Sequence, residues 1–230
     1  MNLTLDYHEI LRYLGHWGQK VDQQTESLIL RCMEEIQQAA KPRYFYQIYD
    51  IRCDIDNEAI LLPECGLTLP GRDLYEHLRQ CRKCAVMAAT LGIEADNLIR
   101  IAENTEMSRA VVLDACATEM VEKLCDAAEL EIAQIAAREN RGLQSRFSPG
   151  YGDCPLSAQR SIVNALNATR LIGLTVTPTS LLMPTKSVTA VIGLFDGEVH
   201  DAQTRPTCNI CRMREHCRFR AAHTTCYSSH

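Results

Sequence analysis

One segment constrains the fold more than any other. From about Ser108 to about Asn140, small and apolar residues recur at the spacing of an α-helix. This stripe consists of Ala110, Leu113, Ala117, Val121, Leu124 and Ala128. The pattern predicts an amphipathic helix, either as one long element or as two joined by a kink. The rest of the chain must be arranged around it.

Four shorter helices are predicted from periodicity and capping residues. They run from Asp6 to Leu14, from Asp22 to Pro42, from Asp73 to Gly92 and from Ser157 to Gly173. The helix from Asp73 is expected to bury Leu74, Leu78, Cys81 and Ala85. Cys81-x-x-Cys84 would then lie within a helix and belong to the core, without a redox function.

Extended segments are predicted on both sides of the long helix. They are Tyr44 to Ile55, Ile60 to Leu69 with interruptions at Pro63 and Gly66, Leu174 to Met183, and Ser187 to Phe195. In the last of these, Val188, Ala190, Ile192 and Leu194 alternate, which predicts one buried face. Because the strands are grouped early and late, the order favours an α+β fold over regular βαβ winding.

Charge and composition exclude several classes of function. The net charge of −5 gives no electrostatic footprint for nucleic acid. No stretch reaches the roughly 18 apolar residues of a membrane helix, and the first residues lack the apolar run of a signal peptide. The chain contains 12 cysteines but is too long and too helical for a disulfide scaffold. We therefore expect a protein of the reducing cytoplasm, with no nucleic-acid or membrane partner.

The loop from Arg146 to Pro155, with the sequence RFSPGYGDCP, combines residues that suit a binding site. Gly150 allows the backbone to approach a ligand closely, and Pro149 lowers the entropy lost on binding. Arg146 can grip a carboxylate through two parallel hydrogen bonds, and Tyr151 offers a flat face and a hydroxyl. These residues predict either a rigid small-molecule loop for an anionic group or an ordinary surface turn.

The motif R-x-x-P-G-Y followed by C-P resembles the S-adenosylmethionine-binding signature of the activation domain of cobalamin-dependent methionine synthase. The segments Leu113 to Glu122 and Leu174 to Leu194 resemble the helix before that signature and the closing strands after it. Arg12-Tyr-Leu-Gly and Pro42-Arg-Tyr resemble stand-alone members of the family. The resemblance spans about Ile10 to Leu194. It implies a fold with a twisted, mainly antiparallel sheet and several helices.

The resemblance assigns roles residue by residue. Arg146 would hold the methionine carboxylate, Pro149 and Gly150 would lie beside the ligand, and Tyr151 would lie near the methyl donor and the corrin. Glu122 would contact the ligand amino group, although Glu119 is one turn away on the same helix face.

The implied function is reactivation of a separate cobalamin-dependent methionine synthase or related corrinoid methyltransferase. Its Co(II) cobalamin would be reduced by a one-electron donor, such as a flavodoxin or ferredoxin, and then methylated. This chemistry needs no general base, because the corrinoid supplies the nucleophile and the protein supplies orientation.

A cysteine-rich, basic tail follows the apolar patterning. Cys208, Cys211, Cys217 and Cys226 suit zinc or an iron–sulfur cluster, with His216 and His223 as substitute ligands; a disordered basic tail is the other interpretation. We expect one domain over residues 1–201, with residues 1–92 integral to it, and a separate tail over residues 202–230. Two alternatives to reactivation remain open: a non-catalytic ligand-binding scaffold, and a redox protein built on the tail.

Overall fold

The long helix predicted from sequence is one uninterrupted element in the computed structural model, which describes residues 3–16 and 20–197 together with Glu215 and Arg220. Helix α5 spans Met107–Arg138, and every residue of the predicted apolar stripe on it is buried. The helix contacts all four strands of the main sheet, so its apolar stripe forms the centre of the larger hydrophobic core.

Three further helices lie in the same layer as α5. They are α1 (Tyr7–Tyr13), α2 (Gln23–Ala39) and α4 (Ile93–Thr105). Asp6 caps α1 as predicted, and Asp22 likewise caps α2, because their carboxylates accept hydrogen bonds from free backbone N–H groups of the first turn. Helix α4 had no counterpart in the sequence analysis. Its apolar residues are split between a buried and an exposed face, since Ile93 and Ile101 are exposed, and this weakens the periodic signal.

The main sheet is antiparallel throughout, with strand order β1-β5-β9-β6. Its strands are β1 (Arg43–Asp50), β5 (Lys83–Thr90), β9 (Ser187–Asp196) and β6 (Arg141–Leu143). A second layer covers the face opposite α5. It contains the small sheet of β2 (Arg52–Asp54), β3 (Ala59–Leu62) and β4 (Leu67–Pro70), the helices α3 (Arg72–Leu78), α6 (Ala158–Ala165) and α7 (Ala168–Ile172), and the hairpin of β7 (Thr175–Val176) and β8 (Leu182–Met183). The expected α+β fold with a mainly antiparallel sheet is confirmed.

The predicted helix from Asp73 to Gly92 is wrong beyond Leu78. Residues 83–90 form β5, the strand that pairs with both β1 and β9. All of its residues after Lys83 are buried. A strand buried on both faces has a continuous apolar run, which periodicity cannot distinguish from a buried helix. Cys84 therefore lies on a strand, although both it and Cys81 belong to the core as expected.

Three other predicted elements are divided in the structure. The strand predicted from Tyr44 to Ile55 is split at Ile51 between two sheets. The helix predicted from Ser157 breaks at Asn167, whose φ of 49° interrupts the helical backbone. The segment from Leu174 to Met183 folds back on itself as the β7–β8 hairpin. The predicted strand over Ser187 to Phe195 is confirmed, but both of its faces are covered.

The cysteines within the described ranges are free, and most are buried. Burial raises the pKa of Cys32 to about 11 and the pKa values of Cys81, Cys116 and Cys125 to about 12. These thiols are neutral near pH 7 and pack as small apolar groups. Cys208, Cys211, Cys217 and Cys226 lie outside the described residues, so their predicted metal site stays a prediction. Among the described residues, no cluster of metal-ligating side chains is found, and no helix is long and apolar enough to cross a bilayer.

Candidate functional site

Helix α3 anchors both ends of the loop that the sequence singles out. The His77 Nε2 atom lies 2.8 Å from the Ser145 carbonyl oxygen. At the other end, the Asp153 carboxylate accepts from the backbone N–H groups of Arg72 at 2.9 Å and Asp73 at 3.0 Å. Asp153 thus caps α3, whose own N-cap residue, Gly71, has no side chain. The middle of the loop is therefore held in a fixed position.

The middle of the loop is a tight turn. The Ser148 carbonyl accepts a hydrogen bond from the Tyr151 N–H at 3.1 Å, with Pro149 and Gly150 between them. Gly150 has a φ of +92°, which an L side chain rarely adopts. Proline followed by a residue of positive φ is typical of a type II turn. The turn presents Tyr151, which is 67% exposed.

A cleft of about 410 Å³ lies beside this turn, a volume suited to a small ligand. Its residues come from α5, the Ser148–Tyr151 turn, α6, the β7–β8 hairpin and the first residues of β9: Glu122, Ser148, Pro149, Tyr151, Gln159, Thr177, Leu181, Leu182, Met183, Thr185, Ser187, Val188 and Thr189. Three predicted site residues, Glu122, Pro149 and Tyr151, therefore line one cleft. Gly150 forms the turn at its edge, and Arg146 is not among the lining residues.

Arg146 is bound to carboxylates of α5. Its Nη2 donates to Glu122 Oε2 at 3.2 Å and to Asp126 Oδ1 at 2.9 Å, and its Nε lies 3.3 Å from Glu129 Oε2. Burial would lower the pKa of this guanidinium, but the neighbouring Cys125 and the carboxylates raise it overall. Its Nη1 is buried and has no partner within the described part of the chain, but Arg146 does not line the cleft. The hold of Arg146 on a ligand carboxylate stays a prediction.

The two glutamates considered for the amino-group contact have different environments. Glu122 lines the cleft. Glu119 is 2% exposed and lies under α1, where its Oε1 accepts from the Asp6 N–H at 3.3 Å. Burial raises the pKa of Glu119 to about 7, against the opposing effects of the Asp6 N–H and Lys123. Glu122 is therefore the carboxylate that a ligand in the cleft can reach.

The β7–β8 hairpin forms a side of the cleft that the sequence analysis did not anticipate as part of the site. Gln159 Nε2 on α6 donates to the Ser180 carbonyl at 3.1 Å, and Arg160 Nη2 donates to the Thr177 carbonyl at 2.7 Å. At the hairpin's end, the Asp96 carboxylate accepts from the Thr185 N–H at 2.6 Å. These long-range contacts leave no periodic signal in the sequence.

Thr189 was also missed, and it forms part of the cleft floor. It is 2% exposed, and its Oγ1 is buried without a hydrogen-bond partner among the described residues. The sequence feature that could have indicated Thr189 is its hydroxyl within the otherwise apolar run from Val188 to Leu194.

The lining residues of the cleft suit ligand binding better than acid–base catalysis. Of its lining residues, only Glu122 and Tyr151 carry titratable side chains. The remaining polar groups are hydroxyls and one amide. The arrangement suits a ligand with one cationic part and a neutral, hydrogen-bonding remainder.

No family model and no curated protein matches the chain. Among solved structures, the fold is similar to the crystal structure of the MetH reactivation domain bound to AdoHcy. The TM-score is 0.58 at 15% identity, and the match covers 83% of this chain and 70% of that one. At this low identity the similarity shows the fold alone. It confirms the fold expected from the R-x-x-P-G-Y resemblance.

Proposed function

We propose that the cleft beside the Ser148–Tyr151 turn binds S-adenosylmethionine. One observation carries the proposal: the R-x-x-P-G-Y loop forms part of a ligand-sized cleft in a fold similar to a reactivation domain whose structure contains AdoHcy. S-adenosylmethionine differs from that ligand by one methyl group, which makes the sulfur cationic.

The charge of the cleft supports a cationic ligand. Glu122 is the carboxylate among its lining residues, and it can pair with the ligand's ammonium or sulfonium group. The Arg146 Nη2 atom lies 3.2 Å from Glu122 Oε2, and this ion pair fixes the position of the Glu122 carboxylate before the ligand binds. Such preorganisation lowers the entropy lost on binding.

We further propose that the bound ligand methylates a corrinoid on a separate methionine synthase or related methyltransferase. The partner's corrinoid supplies the cobalt nucleophile, after an outside donor has reduced Co(II) by one electron. The residues of this chain would hold the methyl donor in line for displacement and limit its contact with water. Tyr151, exposed at the cleft, is placed where a large partner cofactor could approach.

We also propose that residues 1–201 contain this site and that residues 202–230 form a separate segment. Cys208, Cys211, Cys217 and Cys226 would bind zinc or an iron–sulfur cluster there, for docking or electron delivery. Zinc and iron analysis of the anaerobically purified protein tests this part independently of ligand binding.

Calorimetry with S-adenosylmethionine and S-adenosylhomocysteine tests the binding proposal. Glu122→Gln should weaken S-adenosylmethionine binding about 10-fold or more, because it removes a charged contact worth roughly 1.5–3 kcal/mol. Asp126→Asn is the matched control, since Asp126 also pairs with Arg146 but does not line the cleft. Absence of binding by the wild-type chain would refute the proposal.

Reactivation is tested with an inactive Co(II) methionine synthase that lacks such a domain, mixed with a reduced flavodoxin and S-adenosylmethionine. Methylation is followed by the visible spectrum of the corrinoid and should depend on the added chain. Tight ligand binding without methylation would favour the non-catalytic scaffold.

A further inference from the structure

The main sheet ends in two edge strands that differ in their protection against further pairing. At one edge, β6 has only three residues, and the chain beyond it reaches Pro149, which has no N–H to donate. Short edge strands and prolines are two ways in which natural sheets avoid pairing with another chain. At the other edge, β1 has eight residues and contains no proline, glycine or lysine. Between Arg43 and Asp50 its sequence, YFYQIY, is uncharged.

Half of the β1 backbone groups point away from the sheet. Ile51, just after β1, donates its N–H to the Arg82 carbonyl at 3.1 Å and continues the register of β1 with β5. Because backbone groups alternate in direction along a strand, Tyr49, Gln47 and Phe45 also direct theirs to β5. The outward N–H and C=O groups therefore belong to Tyr44, Tyr46, Ile48 and Asp50. Across residues 3–16 and 20–197, no hydrogen bond to these outward groups is found.

A second β1 strand can satisfy all of these outward groups. An antiparallel copy related by a two-fold axis at Gln47 places Tyr44 opposite Asp50 of the second copy. It also places Tyr46 opposite Ile48 of the second copy. Each of these opposed pairs exchanges two backbone hydrogen bonds. Of the antiparallel registers of two β1 strands, this is the one that pairs every outward residue with another outward residue.

The side chains that this register brings together are complementary. On the α5 face, Tyr46 meets Ile48 of the second copy, and both residues pack against the larger core. On the opposite face, Phe45 meets Tyr49 of the second copy, and both pack in the core of the second layer. Aromatic pairs and pairs of an aromatic with a β-branched residue stabilise adjacent strands. Exposed Gln47 meets its own copy at the axis.

The two ends of β1 carry opposite charges. Arg43 begins the strand and Asp50 ends it, and both residues are exposed. Antiparallel pairing brings Arg43 of one copy next to Asp50 of the other at both ends of the interface, and parallel pairing would bring like charges together. The attraction between such exposed charges is modest, but its sign favours an antiparallel second copy.

We infer that β1 is a dimerisation surface, and that its partner is a second copy of this chain paired antiparallel about Gln47. Two-fold dimers are the commonest oligomers of soluble proteins, and their interfaces are self-complementary in this way. The two main sheets would join into one continuous sheet. The inference goes beyond the proposed function and does not rest on it, because β5 separates β1 from β9, the strand that borders the cleft.

The test is sedimentation velocity of the full chain under reducing conditions, from low micromolar to several hundred micromolar protein. The wild type should show a reversible monomer–dimer equilibrium. Gln47→Lys and Gln47→Glu should each raise the dimer dissociation constant at least about 10-fold, because two like charges then meet at the axis. Both variants should melt like the wild type, since Gln47 is exposed. Gln38→Lys, at an exposed position on α2, is the matched control and should dimerise normally.

An equimolar mixture of the two Gln47 variants provides the decisive measurement. It should recover the dimer, because lysine then meets glutamate at the axis, and a defect in folding would not be repaired by mixing. A wild-type chain that stays monomeric at several hundred micromolar overturns the inference. A dimer that both Gln47 variants leave intact uses another surface and also overturns it. Loss of the dimer in both variants without recovery in the mixture overturns the pairing about Gln47.

Discussion

The α5 side of the cleft and its β9 floor satisfy their polar groups in opposite ways. On the α5 side, Arg146 and its three carboxylates are paired with one another, although the buried Arg146 Nη1 has no partner among the described residues. On the floor, the buried Thr189 hydroxyl has no partner among the described residues. The charged side is thus held mainly by ion pairs within the protein, whereas the neutral floor contains an unpaired hydroxyl. Substitutions on the α5 side should therefore change stability as well as affinity, whereas substitutions at the floor should change affinity alone.

The largest expected effect is that of Arg146→Ala. Removing the guanidinium leaves three carboxylates close together, two of which, Glu122 and Asp126, are 43% and 49% exposed. Because solvent screens these partly exposed ion pairs, the free energy of unfolding should fall by about 1–3 kcal/mol for the three pairs together. Urea denaturation of the ligand-free protein measures this. Affinity for S-adenosylmethionine should also fall, because Glu122 loses its support, and it must be measured where the variant is folded.

Arg138→Ala is the matched control for Arg146, because Arg138 is an exposed arginine at the end of α5, the helix whose carboxylates pair with Arg146. It should change the free energy of unfolding by less than about 0.5 kcal/mol. If Arg146→Ala loses affinity but keeps wild-type stability, the arginine acts on the ligand directly. The ion pairs between Arg146 and the α5 carboxylates would then contribute little to the free energy of unfolding.

An intermediate effect on the free energy of unfolding is expected for Glu119→Gln, and this effect should depend on pH. The pKa of Glu119 is raised to about 7 by burial, so its neutral form stabilises the fold below the unfolded pKa of roughly 4.5. That stability is lost as the pH rises through about 7. Because glutamine cannot ionise, the variant should resemble the wild type at low pH and be more stable by about 1–3 kcal/mol above pH 7.

Thermal melting of Glu119→Gln at several pH values measures this difference, with about 2–4 °C expected per kcal/mol. Glu103→Gln, at an exposed position on α4, is the control and should show no pH-dependent difference. A Glu119→Gln variant that is less stable than the wild type at high pH would mean that the charged carboxylate, paired with Lys123, stabilises the fold.

The smallest effect on ligand affinity is expected for Pro149→Ala, which tests whether the β9 floor at Thr189 contributes to binding. The substitution supplies the N–H that proline lacks. Register from the Phe147–Val191 pair places residue 149 opposite Thr189, so this N–H can donate to the Thr189 carbonyl, which accepts no backbone hydrogen bond from this side among the described residues. Affinity for 5′-methylthioadenosine should fall about 2- to 5-fold, less than the loss of a full hydrogen bond, because Gly150 still favours the turn.

The Pro149→Ala variant should melt at or slightly above the wild-type temperature. Calorimetry measures the effect on ligand affinity, and thermal melting measures the effect on stability. Pro155→Ala, in the same loop but outside the cleft lining, is the control. Unchanged affinity for Pro149→Ala would show that the missing N–H of residue 149 does not affect ligand binding through the Thr189 carbonyl.

Periodic sequence patterns predicted the elements whose burial is local in origin. The stripe on α5 and the starts of α1 and α2 follow from residue spacing, because one helical turn decides which side chains are buried. Strand β9 was predicted in its position, but the burial of both its faces was not. The R-x-x-P-G-Y loop likewise indicated the position of the turn, since Pro149 and Gly150 restrict their own backbone angles.

Other features depended on contacts that only the folded chain contains. Strand β5 was mistaken for a helix because its burial on both faces comes from two separate layers of the protein. The predicted contact of Arg146 with a ligand carboxylate stays a prediction, but the three carboxylates that α5 places around Arg146 could not be predicted from residue spacing. The unpaired Thr189 hydroxyl arises from the arrangement of distant strand segments, and a pattern of apolar spacing contains no information about which polar groups remain unpaired. Residue spacing therefore determined α5, the starts of α1 and α2, the turn and the position of β9. The tertiary structure decided which polar groups remain unpaired, because hydrogen-bond partners across a sheet are set by pairing between segments far apart in the chain.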